Sequence, residues 1–445
     1  MSTSSTVAQA APQSVRLSLG YSWYVVGVLV VAYTFSYVDR TILTLMVGPI
    51  RTSLGINDVQ VSLLHGLAFA IFYTLLGIPI ARYADTMNRT WIISIGIGVW
   101  SIMTALCGFA RNFWEMFLAR IGVGVGEAAL SPSAYSMIAD YFPPEKLGRA
   151  LSVYTSGLYL GSGLALMLGG AVIAAVPTVD LPVVGTLEPW RVVFLMVGLP
   201  GLLVIALMMT VREPARTGLL KGVKAGEGLP VRDVAQYIWA RGRCYGFMIF
   251  GLAFHGLFWN GATGWIPTYF IRTFQWTAPE AGLWFGLSML VFGISGVTAG
   301  GFFGGWLRAR GHIDSNLRVA IFSCFAVLPF GVGAPLLSDP WLALAGLSAF
   351  IFFASFPYGC AAAAFQEITP NQMRGQVTAV YFFVLNLAGI GLGGTVVAMF
   401  TENLFADLAA VRYSIALTVA LSAPISAFIL WRALKHYRAA LAAMP

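Results

Sequence analysis

Four ionisable side chains stand inside stretches that are otherwise apolar: Asp39 and Arg40 in one, Arg120 and Glu127 in another. A charge at the centre of a membrane helix costs about 2.5–3.5 kcal/mol on insertion scales, so such residues are paired, hydrated or both. Two acids and two bases form a neutral set that can exchange partners, as a proton relay requires. Burial and a neighbouring arginine act on a carboxylate in opposite senses. Moving Arg120 between carboxylates, or toward an anionic substrate, therefore changes the proton affinity of Glu127. The expected chemistry is proton uptake at Asp39 and Glu127, with Arg40 or Arg120 released to hold a phosphate or carboxylate headgroup. The static alternative is an ion-pair knot that only ties the two stretches together.

The elements that place these charges are membrane helices. Of 445 residues, 58% are hydrophobic and 10% charged, far from soluble usage. About 20 apolar residues cross a bilayer core of roughly 30 Å. That pattern recurs at 22–47, 58–82, 90–110, 112–139, 148–176, 190–211, 242–271, 279–307, 316–337, 340–365, 374–400 and 409–432. The fold class expected is an all-α polytopic membrane protein of twelve helices in two six-helix bundles. The strict alternation of a membrane barrel is absent, and the first run, one of many of similar length, reads as a span and not a cleaved signal.

Twelve spans put both ends of the chain on one side. That side collects nineteen Lys and Arg residues, against Arg51, Arg111, Arg191, Arg272 and Arg412 on the other. The positive-inside rule makes it cytoplasmic, with the chain in the inner (plasma) membrane. This placement accounts for the formal charge of +8, and no basic run with interleaved aromatics points to nucleic acid. The long hydrophilic stretch 212–243 splits the chain into a tail (1–21), a first bundle (22–211), a linker (212–241), a second bundle (242–432) and a tail (433–445). After Pro230 the linker reads either as a short helix on the membrane surface or as a loosely ordered connection. A shift of 227 residues lays Pro143, Gly148, Val153 and Tyr154 on Pro370, Gly375, Val380 and Tyr381; a shift of 221 lays Ile50-Arg51-Thr52 on Ile271-Arg272-Thr273. Parallel repeats of this kind belong to alternating-access transporters.

Asp39, Arg40 and Arg120 each lie roughly eight residues from the outer end of their span, about 12 Å deep at 1.5 Å per residue, with Glu127 two turns deeper. The glycines around them, Gly122 and Gly126, are spaced for close helix packing; with no strand before them they do not form a dinucleotide loop. Tyr33, Phe35, Tyr37, Phe258, Trp259 and Tyr269 fall in spans one and seven and either line a cavity or pack against neighbours. His65 and His255 read as packed residues before titrating ones, and Glu367 as facing the cytoplasmic loops. The four cysteines lack metal or disulfide spacing. No nucleophile and base stand at recognisable spacing and there is no phosphate-binding loop, so neither catalytic residues, metal nor ATP-driven work is expected. Apart from a proton gradient no cofactor is implied, and the expected partners are the bilayer, protons and a small amphipathic or anionic substrate.

The loop Ala81-Arg-Tyr-Ala-Asp85-Thr-Met-Asn88-Arg89 resembles the major facilitator signature G-x3-D-R-x-G-R-K, keeping Asp85 and Arg89. The resemblance implies a conformational latch at these two residues, with the acid capping a helix N-terminus. In the second half Ala309 stands where the acid is expected. Three further segments are similar to the spinster family: Tyr37-Val-Asp39-Arg40-Thr41, Gly124-Val-Gly-Glu127-Ala-Ala-Leu-Ser-Pro132, and Pro370-Asn-Gln-Met-Arg374-Gly-Gln-Val-Thr-Ala-Val-Tyr381. This resemblance implies a bacterial lysolipid or sphingosine-phosphate transporter, with Asp39, Arg120 and Glu127 at coupling and headgroup positions and Arg40 beside them. Symporters of small organic anions such as hexuronates share the Asp-Arg and the Glu and remain an alternative, as does a multidrug exporter. Outside transport, a membrane sensor or a lipid-modifying enzyme are the remaining readings.

Overall fold

The structure is a computed structural model describing residues 18–142, 144–175, 179–181, 185–214, 231–370 and 373–443. Ten of its helical stretches are long and apolar enough to cross a membrane. Two more complete the twelve. Span four consists of Phe113–Glu127 and Leu130–Tyr141 and carries the buried Arg120 and Glu127; span seven, Gly242–Phe274, carries the buried His255. Polar residues fix many of the helix starts. Asn57 and Thr277 form capping boxes with Gln60 and Glu280, and Asn88, Asn112 and Asp339 accept from backbone N–H groups of the first turn.

Several spans that read as continuous are interrupted. Span four turns at Ala128 and Ala129, because Pro132 has no N–H to offer the carbonyl four residues back and its ring crowds that carbonyl. Pro200 and Pro357 break spans six and ten in the same way, between Gly198 and Gly201 and between Ala354 and Pro357. Span two breaks at Gly66, where an added Cβ would collide with the Ile390 and Gly391 carbonyls of span eleven. That stretch of span eleven, Leu387–Leu392, is a π-helix. The last helix runs on to Ala442, past the expected end at 432. Between spans five and six a short antiparallel ribbon pairs Val179–Leu181 with Gly185–Leu187, an element the apolar periodicity does not signal.

At the end of the bundle away from the chain termini, Asp58 joins the halves. Its fully buried carboxylate accepts from Arg272 of span seven at 2.5 and 2.8 Å and lies 3.4 Å from Arg51, while its N–H donates to Glu402 at 2.5 Å. Arg51 and Arg272 are the two arginines related by the 221-residue shift. Spans five and eight add a close seam, where a Cβ on Gly286 would meet the Gly163 carbonyl at 2.7 Å.

At the termini end each half has ion pairs of its own. Fully buried Arg89 pairs with Asp140 at 2.5 Å and with Glu213 at 2.6 Å. In the second half Arg308 and Tyr437 both reach Glu367, the residue that the 227-residue shift equates with Asp140. Asp314 is held by Arg318 and Arg438. The side chain of Asp85, the other half of the expected latch, lies outside the described residues. The linker residues 231–240 form a helix whose Tyr237 hydroxyl donates to the Ile368 carbonyl, leaving Trp239 88% exposed.

Candidate functional site

Span one places Ser36, Tyr37, Asp39 and Arg40 within two helical turns, and close packing brings spans two, three and four against them. Glycine makes that approach possible: a Cβ at Gly126 would meet the Trp100 N–H nitrogen and the Gly96 carbonyl of span three, and one at Gly124 would meet the Phe69 backbone of span two. The backbones therefore touch where the charges converge. The break at Ala128 and Ala129 directly follows Glu127, whose carboxylate reaches span one.

Arg40 grips Glu127, with Nε at 2.6 Å and a terminal nitrogen at 2.5 Å from the same Oε2, and Ser36 donates to that oxygen as well. The Arg40 guanidinium is caged by rings, its carbon 4.3 Å from the centroid of Phe69 and 4.8 Å from those of Tyr37 and Tyr73. Such contacts compensate a desolvated cation by a kilocalorie or more. Arg40 remains 11% accessible while Glu127 is fully enclosed.

Asp39 does not pair with its neighbour. Its Oδ2 accepts from Thr104 of span three at 2.6 Å, and its Oδ1 has no partner. Arg120, fully buried, spends only Nε, on the Leu64 carbonyl beside the Gly66 break at 3.3 Å; both terminal nitrogens are unpartnered. The expected single outer layer of three charges is thus resolved into one tight pair, Arg40 with Glu127, and two separately held groups, Asp39 and Arg120.

Tyrosines surround the pair. Tyr33 stacks on Tyr154 at 4.7 Å and meets Tyr37 edge-on at 5.1 Å, and Tyr135 packs against Tyr154 at 5.4 Å. Across the seam between halves, Tyr159 donates to Ser355 at 3.2 Å and packs 6.5 Å from Tyr358. Tyr135 and Tyr358 each keep 37% of their surface accessible. Of the aromatics singled out in the sequence, Tyr33, Phe35 and Tyr37 are partly accessible. Phe258 and Tyr269 are fully buried in the second half, against Phe350 and Phe270 respectively, and Trp259 packs on Phe350 and Tyr358. Tyr73, Tyr135, Tyr154 and Tyr358 were not expected at the site, because aromatic residues are common throughout these apolar runs and nothing in the spacing sets these four apart.

The Major Facilitator Superfamily pattern matches residues 29–394. The chain belongs to the major facilitator superfamily. It is a transporter and not an enzyme. A crystal structure of a bacterial homolog to the human lysosomal transporter spinster, inward-facing and unoccupied, matches this major facilitator chain with a TM-score of 0.74 and 26% identity, covering 96% of this chain and 98% of that one. An MFS-type efflux pump of Mycolicibacterium smegmatis is 26% identical over 94% of both chains. Protein spinster of Drosophila melanogaster is 27% identical over 76% of this chain and 54% of its own length; a probable L-galactonate transporter of Escherichia coli is 25% identical over 64% and 62%. The spinster resemblance of the motifs thus extends through nearly the whole fold, in company with a sugar-acid relative.

Proposed function

We propose that this chain is a proton-coupled secondary transporter of an amphipathic, anionic or zwitterionic lipid-like substrate, of the lysophospholipid or sphingosine-phosphate type, working by alternating access in the inner membrane with both termini cytoplasmic. The observation that carries this reading is the Arg40–Glu127 pair, whose arginine keeps 11% of its side chain accessible between Tyr37 and Tyr73 while its carboxylate is enclosed. A proton on Glu127 cancels the charge that Arg40 neutralises. Arg40 then carries an uncompensated charge toward the cavity, and an anionic headgroup replaces the lost partner. Loss of the proton restores the internal pair and expels the headgroup. Tyrosine walls suit an amphipathic substrate, since each ring offers an apolar face and a polar tip. Asp39 is the second proton site and Arg120 the second cation in this reading, and Asp85 with Arg89 the latch.

A small organic anion is the second reading, favoured by the sugar-acid relative. Purified protein in liposomes under an imposed pH gradient, offered a labelled lysophospholipid and a labelled hexuronate in parallel, separates the two. Gradient-driven movement of the lysophospholipid alone supports the lipid reading, and movement of the hexuronate alone replaces it.

A further inference from the structure

We infer that Thr104 is a positioning residue for Asp39, holding that carboxylate apart from both arginines as an independent proton site. The inference rests on the proton-coupled reading and adds a hydroxyl of span three to it. Thr104 is fully buried and its Oγ1 donates to Asp39 Oδ2 at 2.6 Å.

The bond differs from that of Thr74 and Thr418, buried helical threonines that each donate to the carbonyl four residues earlier in their own helix, the ordinary resting place of such a hydroxyl. Buried Thr268 of span seven also reaches another span, but donates to a backbone carbonyl, that of Thr44, and not to a carboxylate. Thr104 instead commits its proton to a carboxylate of another span. Among the described residues no arginine or lysine lies within ion-pair distance of Asp39, although Arg40 adjoins it in the chain. The groups that face it are Arg40 from its own span, Cys107 from span three, and Arg120 and Glu127 from span four. Span two contributes the Leu64 carbonyl, which engages Arg120, and His65.

An O–H that donates to a carboxylate favours its ionised form. Thr104 therefore sets the acidity at which Asp39 loads, and because the hydroxyl is held by a branched side chain with few rotamers, it also fixes which oxygen stays free. With Oδ2 engaged, Oδ1 is the atom left to take the proton.

The test needs no substrate. Spin labels at Thr52 and Asn403, exposed on opposite halves at the far side, report the distance between halves as pH is titrated in wild type, Thr104→Val, Thr104→Ser and Asp39→Asn. Expected is a wild-type transition that Thr104→Val moves to higher pH by about one unit, that Thr104→Ser leaves in place, and that Asp39→Asn diminishes or removes. Melting temperatures of the same proteins separate this effect from misfolding, and rescue by serine separates it from loss of packing. A wild-type transition left unmoved by Thr104→Val overturns the role of Thr104 alone. A distance that does not respond to pH in wild type overturns the proton-coupled reading together with it.

Discussion

Asp39 and Arg40 are adjacent in the chain, yet each turns to a different span: Arg40 to Glu127 of span four and Asp39 to Thr104 of span three. Successive residues on a helix point about 100° apart, so span one addresses both neighbours at one depth. The buried charges are thereby one locked pair and two held in reserve.

Coupling between Arg40 and Glu127 is measurable directly. Removing one partner of a buried pair leaves an uncompensated charge, so Arg40→Ala alone is expected to lower stability by up to about 3–5 kcal/mol. Adding Glu127→Gln to it recovers part of the loss. A double-mutant cycle on melting in detergent is expected to give a coupling energy of about 1–3 kcal/mol; additive single effects contradict the pair.

Asp58 and Arg272 hold the far side closed. Arg272→Ala leaves the buried Asp58 carboxylate with Arg51 alone at 3.4 Å. Open-far-side molecules are then expected to rise by at least about tenfold, the equivalent of 1.4 kcal/mol. Thr395→Cys sits at the seam, hydrogen-bonded in wild type to Ser62 across the halves. In a background without the native cysteines, its labelling by a polar thiol reagent reads the opening, and an unchanged rate counts against the lock.

Gly126→Ala is expected to cost about 1–3 kcal/mol, because the new methyl meets backbone atoms of Trp100 and Gly96 that cannot rotate away. Gly77→Ala, where no atom lies within 4 Å of the new methyl, is the control and is expected to be neutral or slightly stabilising. Equal melting temperatures for the two variants would show that spans three and four are not in backbone contact.

Asp314, in the loop before span nine, supplies a pH dependence outside the membrane. Burial works to raise its pKa, but hydrogen bonds and charge from Arg318 and Arg438 outweigh it and hold the carboxyl below its ordinary value. A carboxylate depressed in the folded state contributes stability above its unfolded value, near 4, and loses it as pH falls through the folded value. Between pH 5 and pH 3, wild type is expected to lose more melting temperature than Asp314→Asn.

The twelve spans and the buried charges were legible in the sequence because an apolar solvent leaves few alternatives: twenty apolar residues read as a span, and a charge among them stands out. Pairing was not legible. Depth along a helix predicted neighbours for Asp39, but which neighbour depends on helix rotation, which Gly124 and Gly126 set by allowing contact with spans two and three. Thr104 gave no signal, since a threonine in a membrane helix ordinarily bonds its own backbone. The break after Glu127 was written in Pro132 four residues beyond Ala128, a cue masked by the continuous apolar run. In the sequence the repeat shift of 227 rests on Pro143, Gly148, Val153 and Tyr154 alone; that it also equates Asp140 with Glu367 emerges only with the arginines that each one binds.

The most direct test of the central claim follows protons and substrate together across liposomes bearing wild type or Glu127→Gln, with a pH-sensitive dye inside and a labelled lysophospholipid added outside. Wild type is expected to move protons with the lipid, and Glu127→Gln to exchange lipid across equal pools while moving fewer protons per lipid, those carried by Asp39 alone. Proton movement in Glu127→Gln equal to wild type would contradict the switch at Arg40 and Glu127.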